Sequence, residues 1–350
     1  MHNKAFIVDG SVAVVGGRNI GDEYVAIGKR FNFRDRDLLA VGPIVAQVAK
    51  SFDAYWNSAW AYPVESMFQS PSPQQVATTY ARLRKFASAE ATALPYPLPS
   101  GRTQAWAHLE RMPARLIWAD AKLVYDVPHT EASAAAEAGA VAAALRRYVR
   151  QAEQEILVES PYLVPTNEAQ QLSADAVSRG VRIRMLTNSL AATDVTIAHA
   201  GYSRRRHKLL EQGVELFELR ADAVSCARYV EMPEGCVPPR HFSLHAKSVV
   251  IDRRTLYVGS FNVSPRSTYL NSEIAIIVES PELAEIVARE IESSMHPENS
   301  WQVTLGGDGS LEWTAVDGER VRFETREPDA GFLRGIKAGF FALFPLENQI

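Results

Sequence analysis

Short apolar runs recur along the chain, and two groups of them are built alike. Ala5–Val8 and Val12–Val15 flank the turn Asp9-Gly10-Ser11, while Ser248–Ile251 and Thr255–Val258 flank Asp252-Arg253-Arg254. Apolar, β-branched arms on either side of such a turn predict hairpins. Beyond each hairpin a carboxylate, Asp35 or Glu273, opens another apolar strand that ends eight residues later at a proline, Pro43 or Pro281. Proline suits the first turn of a helix, so amphipathic helices are expected over Ile44–Trp56 and Glu282–Ser294. The two units share one predicted topology.

A longer alternation leads into the second hairpin. Helices are predicted near Ala134–Gln151, Glu168–Arg179 and Ala198–Gln212, and strands at Glu155–Glu159, Val181–Leu186 and Val214–Leu219. This reads as βαβαβ, a sheet covered by helices, and the fold class is α/β. By the same comparison the first unit is expected to lack roughly 100 residues of strands and helices ahead of its hairpin. Pro63–Arg102, with Pro71, Pro73, Pro95, Pro97 and Pro99, reads as a linker holding one helix, Pro73–Ala91. The tail predicts strands Ser310–Val316 and Arg320–Thr325, then an aromatic helix within Gly331–Phe344 that carries Arg334 and Lys337 and either lies in a lipid interface or packs on the core. The expected division is therefore 1–62 for the end of a first α/β half, 63–130 for a linker or insert, 131–300 for a second half and 301–350 for a hairpin and amphipathic tail.

Composition narrows the class. A chain of 350 residues with 47% hydrophobic and 22% charged content buries real cores. A net charge of −4 gives no overall electrostatic case for nucleic acid. No apolar run reaches the ~18 residues of a membrane span, and no signal sequence opens the chain. Cys226 and Cys236 do not form a spaced zinc motif and read as free thiols in a cytosolic protein. The run Arg204-Arg205-Arg206-His207-Lys208 reads as a solvated helix face, with collection of anionic headgroups as its alternative.

The chemistry lies in the repeated hairpins. His2, Lys4, Asp9, Gly16 and Asn19 stand at the same mutual offsets as His245, Lys247, Asp252, Gly259 and Asn262, and Gly17 matches Ser260. Five identical residue types at fixed offsets arise by chance on the order of 10⁻⁷ times per alignment. Side chains alternate along a strand, so each histidine faces the same side as the lysine two residues on. Asp9 and Asp252 lie an odd number of residues away and are expected to support the turns. Two lysines and two asparagines converging on one phosphate suit the charge of a pentavalent transition state. Two histidines on opposite sides of phosphorus supply a nucleophile and a general acid, the first neutral and the second protonated. Asp35 and Glu273 are the carboxylates expected to orient the rings. No metal or other cofactor is required, and His241, four residues before His245 but leading into a strand, is not expected to bind one.

The paired His-x-Lys-x4-Asp segments, followed by Gly16-Gly17-x-Asn19 and Gly259-Ser260-x-Asn262, resemble the phospholipase D superfamily. Arg266-Ser267, Asn271-Ser272-Glu273, Glu159-Ser160-Pro161-Tyr162-Leu163-Val164-Pro165 and Arg326-Glu327-Pro328 resemble its bacterial cardiolipin synthase branch. The resemblance implies two α/β halves related by a pseudo-twofold axis, with the active site at their interface. It also implies His2 as the nucleophile that forms a phosphohistidine, His245 as the acid, and Glu159, Tyr162 and Arg266 as substrate-binding residues. The implied activity is phosphatidyl transfer at the inner surface of a cytoplasmic membrane, from phosphatidylethanolamine or phosphatidylglycerol to phosphatidylglycerol or water. Two readings compete: a phosphodiesterase or nuclease, which the acidic balance disfavours, and an inactive remnant that binds a membrane or a protein partner.

Overall fold

The computed structural model describes residues 1–28, 31–91, 116–128, 139–229, 236, 241–342 and 344. The prolines at 95, 97 and 99, and residues 134–138 of the first helix expected in the second half, lie outside these. Residues 1–52 and 119–350 form one compact unit, and residues 53–118 a second. The second unit contains the helix Pro73–Ala91 and exposes nearly every described residue.

Within the first unit the two hairpins form as expected. Strands β1 (Ala5–Val8) and β2 (Val12–Gly16) pair antiparallel, Ala5 opposite Val15, and after β3 (Phe31–Arg34) the strand β4 (Asp37–Val41) completes a three-stranded sheet against β2. Helix α1 (Pro43–Trp56) follows, and α2 is the Pro73–Ala91 helix of the other unit. Next in the chain come β5 (Asp120–Tyr125), α3 (Ala140–Gln151), β6 (Glu155–Glu159), α4 (Asn167–Ser178), β7 (Arg182–Asn188), α5 (Thr196–Glu211), β8 (Glu215–Leu219) and β9 (His241–Leu244). The second hairpin is β10 (Ser248–Ile251) and β11 (Thr255–Gly259), with Ser248 opposite Val258, the register of the first copy. Then follow α6 (Pro265–Tyr269), β12 (Ile274–Glu279), α7 (Pro281–Met295), β13 (Ser300–Leu305), β14 (Leu311–Asp317), β15 (Arg320–Glu324) and α8 (Phe332–Phe341).

One ten-stranded sheet runs β15-β14-β13-β8-β7-β6-β10-β11-β12-β5. Its centre is parallel, β6 to β7 to β8, as the βαβαβ pattern requires. Two segments join it from regions expected to stand apart. Asp120–Tyr125, placed in the linker by sequence, pairs with β12, and the tail hairpin extends the opposite edge through β13. Both strands have partners distant in sequence, and local periodicity does not report a distant partner.

Alternation along the central strands sorts side chains to two faces. Ile156, Val158, Val249, Ile251 and Tyr257 enter one core with residues of α3, α4 and α5, whereas Leu157, Val250, Leu256 and Val258 pack with α7. A third core joins Ala13 and Val15 of the first sheet and Ile44, Val45 and Val48 of α1 to Ile274, Ile276 and Val278 of β12. Two copies of one unit thus bury their strands against each other.

Two expectations are corrected here, and of the two readings of the tail helix the packed one is found. Cys226 and Cys236 are a disulfide, not free thiols: their Cα atoms stand 5.8 Å apart, within bonding reach. Arg206 is not on a solvated face: it is buried, stacks on Trp313 at 4.7 Å, and ion-pairs with Glu218 at 2.8 Å and Glu327 at 2.7 Å. The tail helix α8 docks on α5, with Ala338 buried and Arg334 donating to the carbonyls of Ala191 at 2.7 Å and Thr193 at 2.6 Å. Its other face leaves Leu333, Ile336 and Phe340 exposed. No described helix is long and apolar enough to cross a membrane.

Candidate active site

Two matched crossings assemble the site. The backbone N–H of His245 donates at 2.8 Å to the carbonyl of Arg34, the residue before Asp35, and that of His2 donates at 2.9 Å to the carbonyl of Ser272, the residue before Glu273. Parallel pairing of β3 with β9, which sets Arg34 opposite Leu244, supports the first crossing. Each histidine therefore meets the carboxylate of the other copy. His245 Nδ1 donates to Asp35 at 2.6 Å, and His2 Nδ1 donates to Glu273 at 2.8 Å. A carboxylate only accepts, so Nδ1 carries the proton in both rings and Nε2, on the opposite edge, keeps its lone pair when the ring is neutral.

The lysines sit behind their histidines as the two-residue alternation requires. Lys4 Nζ donates to the carbonyl of His2 at 2.8 Å, and Lys247 Nζ to that of His245 at 2.6 Å. Burial pushes both ammonium groups down to about 8, against the pull of Asp35 and Glu273. His245 is 4% exposed; burial first, then the nearby charge of Lys247, push it down to about 4 despite its bond to Asp35. Burial opposes ionisation of Asp35, yet the hydrogen bond from His245 and the charge of Lys247 outweigh it and hold the carboxyl below its usual range. His245 is thus neutral near pH 7 in the unliganded site, which departs from the expectation of a protonated acid. The cause is burial of the ring first and the charge of the buried lysine beside it second.

Supporting residues fall where the repeat places them. A Cβ on Gly17 would meet Asp35 Oδ1 at 2.3 Å, and one on Gly16 would meet the Arg36 carbonyl at 2.4 Å, so the carboxylate can reach His245 only past glycines. Gly259 similarly clears the Ile274 carbonyl, 2.4 Å from where its Cβ would stand. Ser260, at the position of Gly17, instead donates its hydroxyl to Glu273. Asp9 and Asp252 are turn residues with φ of 49° and 51°. Asp252 also accepts from the backbone N–H groups of Glu153, Gln154 and Glu155 at 2.9, 2.7 and 3.0 Å, which anchors the start of β6. Asn19 donates its amide to the Tyr24 hydroxyl at 2.8 Å, and Asn262 is buried with its Oδ1 lacking a protein hydrogen bond.

Of the three residues expected to bind substrate, Glu159 is turned into the core. Its side chain is fully buried, ion-paired with Arg34 and Arg36 and bonded to the Ser248 hydroxyl, so it ties the Arg34–Asp35 segment to the central sheet. Glu159→Gln is expected to destabilise the fold by about 3–5 kcal/mol, because it strands the buried Arg34 charge. Urea unfolding checks this; a loss under about 1 kcal/mol would contradict it. Tyr162 lies within electrostatic reach of Tyr24 and Asp35 and donates its hydroxyl to Asp194 at 2.9 Å. Arg266 is exposed on α6.

Sequence reasoning missed the aromatic wall and Asp194. Tyr24 and Phe33 hold the His245 ring at centroid distances of 5.0 and 4.9 Å. Only the repeat marked residues for chemistry, and these have no repeated counterpart.

Residues 145–295 match the family described as cardiolipin synthase, PLD-like domain. The chain is 33% identical to cardiolipin synthase C of Escherichia coli strain K12, over 99% of this chain and 72% of that protein. It is 29% identical to an uncharacterised protein of Helicobacter pylori strain J99, over 96% of this chain and 65% of that protein. The fold is similar to the crystal structure of phosphatidylserine synthase of Haemophilus influenzae, with a TM-score of 0.58 and 13% identity over 98% of this chain and 69% of that one. With paired histidines, lysines and crossed carboxylates on that fold, the chain belongs to the phospholipase D-like family that contains the bacterial cardiolipin synthases.

Proposed function

We infer that this protein transfers a phosphatidyl group from a phospholipid to the alcohol of a second phospholipid through a phosphohistidine, and that its product is cardiolipin. The observation that carries the reading is the pair of histidines, each bonded through Nδ1 to a carboxylate and each backed by a lysine, in one site.

Nε2 of one histidine attacks phosphorus and the bond from phosphorus to the headgroup oxygen breaks. The other histidine gives that oxygen its proton. The headgroup alcohol leaves, and a primary alcohol of the acceptor loses its proton to the now neutral second histidine. Its oxygen attacks phosphorus, the phosphorus–nitrogen bond breaks, and the first histidine returns. Lys4 and Lys247 offset the charge that builds on the equatorial oxygens. Phosphatidylglycerol or phosphatidylethanolamine is the donor and phosphatidylglycerol the acceptor. A membrane surface presents them, and the exposed Leu333, Ile336 and Phe340 of α8 offer apolar contact with it.

The resemblance assigns His2 as nucleophile and His245 as acid. A second reading reverses them, and it is favoured by the depression of His245 to about 4, which leaves its ring neutral and ready to attack. The pH dependence of kcat/KM separates the two, since it reports the free enzyme. If His245 is the acid, kcat/KM falls tenfold per unit as pH rises above about 4; if it is the nucleophile, kcat/KM rises through pH 4 and then levels. Both readings lose activity as pH rises through about 8, where Lys4 and Lys247 lose their protons. The assay is mass spectrometry of vesicles containing phosphatidylglycerol and phosphatidylethanolamine. Absence of cardiolipin from active-site-competent protein would reject the function.

A further inference from the structure

A carboxylate that the reaction above does not use is held by Tyr162 and lies within electrostatic reach of Lys247. Asp194 ends the short loop that follows β7, and that loop is tied on every side. Arg334 of α8 donates to the Ala191 and Thr193 carbonyls, Thr193 donates its backbone N–H to the Ser189 carbonyl at 3.0 Å, and Val195 donates its own to the Thr193 hydroxyl at 3.3 Å. One residue before the loop, Asn188 donates its amide to the Leu244 carbonyl at 2.9 Å and accepts from the Leu244 N–H at 2.8 Å. Leu244 precedes His245, so two hydrogen bonds join the start of the Asp194 loop to the strand that leads into the catalytic histidine.

The carboxylate is aimed rather than spent. Tyr162 donates to it at 2.9 Å, which leaves acceptor capacity on a group with about four lone-pair sites. No ion pair to Asp194 is found among the described residues within salt-bridge distance, and its side chain remains open to solvent. It lies within electrostatic reach of Lys247 and Tyr24, the latter packed edge-on against the His245 ring.

We propose that Asp194, positioned by Tyr162, accepts a hydrogen bond from a second hydroxyl of the acceptor alcohol and so selects a polyol of the glycerol type over water. This rests on the phosphotransfer reading above and names the chemistry of its acceptor. A hydroxyl fits better than an ammonium group because Lys247 and Arg334 already place positive charge near Asp194. A neutral donor satisfies the carboxylate without adding a further cation beside Lys247. Water has no second hydroxyl to engage it while its oxygen attacks, whereas a vicinal diol has one.

The test needs no lipid. Bis(4-nitrophenyl) phosphate serves as donor, with glycerol, ethanol or ethanolamine competing against water, and the ratio of transfer product to hydrolysis product is read by mass spectrometry. Asp194→Asn is expected to lower the glycerol ratio about tenfold, the size of one charge-assisted hydrogen bond. The ethanol ratio keeps its wild-type value, because ethanol has no second hydroxyl. Tyr162→Phe lowers the glycerol ratio about threefold, since it frees the carboxylate without removing it. An unchanged glycerol ratio in Asp194→Asn overturns the proposal, as does an equal fall for ethanol, which would mark a general structural role. A fall confined to ethanolamine overturns it in favour of an ammonium site. Transfer to glycerol by a wild type that forms no cardiolipin on vesicles would reject the lipid function alone, and the ratios would still decide the role of Asp194.

Discussion

His245→Asn is expected to lower turnover by a factor of about 10⁴ or more while the protein stays folded. Loss of a histidine from a nucleophile–acid pair removes both the proton path and one arm of the displacement, and losses of this size follow when members of such a unit are removed. Asparagine is chosen because it keeps a donor for Asp35, whose side chain has no exposed surface and would otherwise be left buried without its partner. Circular dichroism and urea unfolding should therefore stay close to wild type, and single-turnover cleavage of the donor gives the rate. His2→Asn is expected to match it, and the double variant to be scarcely slower than either, since one chemical path needs both rings. Residual activity above about one per cent in either single variant would contradict the two-histidine reaction.

Asp35→Asn is expected to act on His245, and Glu273→Gln on His2, each with a loss of roughly 10² to 10⁴ in kcat. An amide in place of the carboxylate no longer fixes the Nδ1–H tautomer or steadies the imidazolium that forms during turnover. Rate alone does not separate the crossed pairing from pairing within each copy, because both predict a loss. Nitrogen-15 resonances of the imidazoles do. The crossed bonds of 2.6 Å and 2.8 Å require the His245 signals to shift in Asp35→Asn and the His2 signals to shift in Glu273→Gln. The opposite correspondence would refute the crossing and leave the rest of the site in place.

Much of this was legible along the chain. The matched offsets of His2, Lys4, Asp9, Gly16 and Asn19 with their second copies marked the catalytic half-sites, and strand parity put each histidine and lysine on one side and each aspartate in a turn. Those are short-range facts, governed by the two-residue period of a strand and by turn chemistry. Glu159 illustrates the limit. The family resemblance implied a substrate-binding role for it, but its environment is set by Arg34 and Arg36, more than a hundred residues away, which claim its charge inside the core. Asp120–Tyr125 was likewise misplaced, and the tail hairpin, which forms where expected, gave no sign of joining the large sheet, because in both cases the partner is a strand that local periodicity does not report.

The sequence by itself thus determined the two units, their hairpins, the residue types that do the chemistry and the side of the strand each one faces. Asp35 and Glu273 remained interchangeable, because either carboxylate follows its own histidine at a separation that no local rule connects to a contact. Only the tertiary structure decided that they exchange partners. Pairing β3 with β9 brings Arg34 and Asp35 to His245, and the bond from His2 to Ser272 brings Glu273 to His2. Only burial then decided the charge states, since whether an imidazole beside a lysine is neutral depends on how much water both have lost, a property of the packed site and not of the two residues that name it.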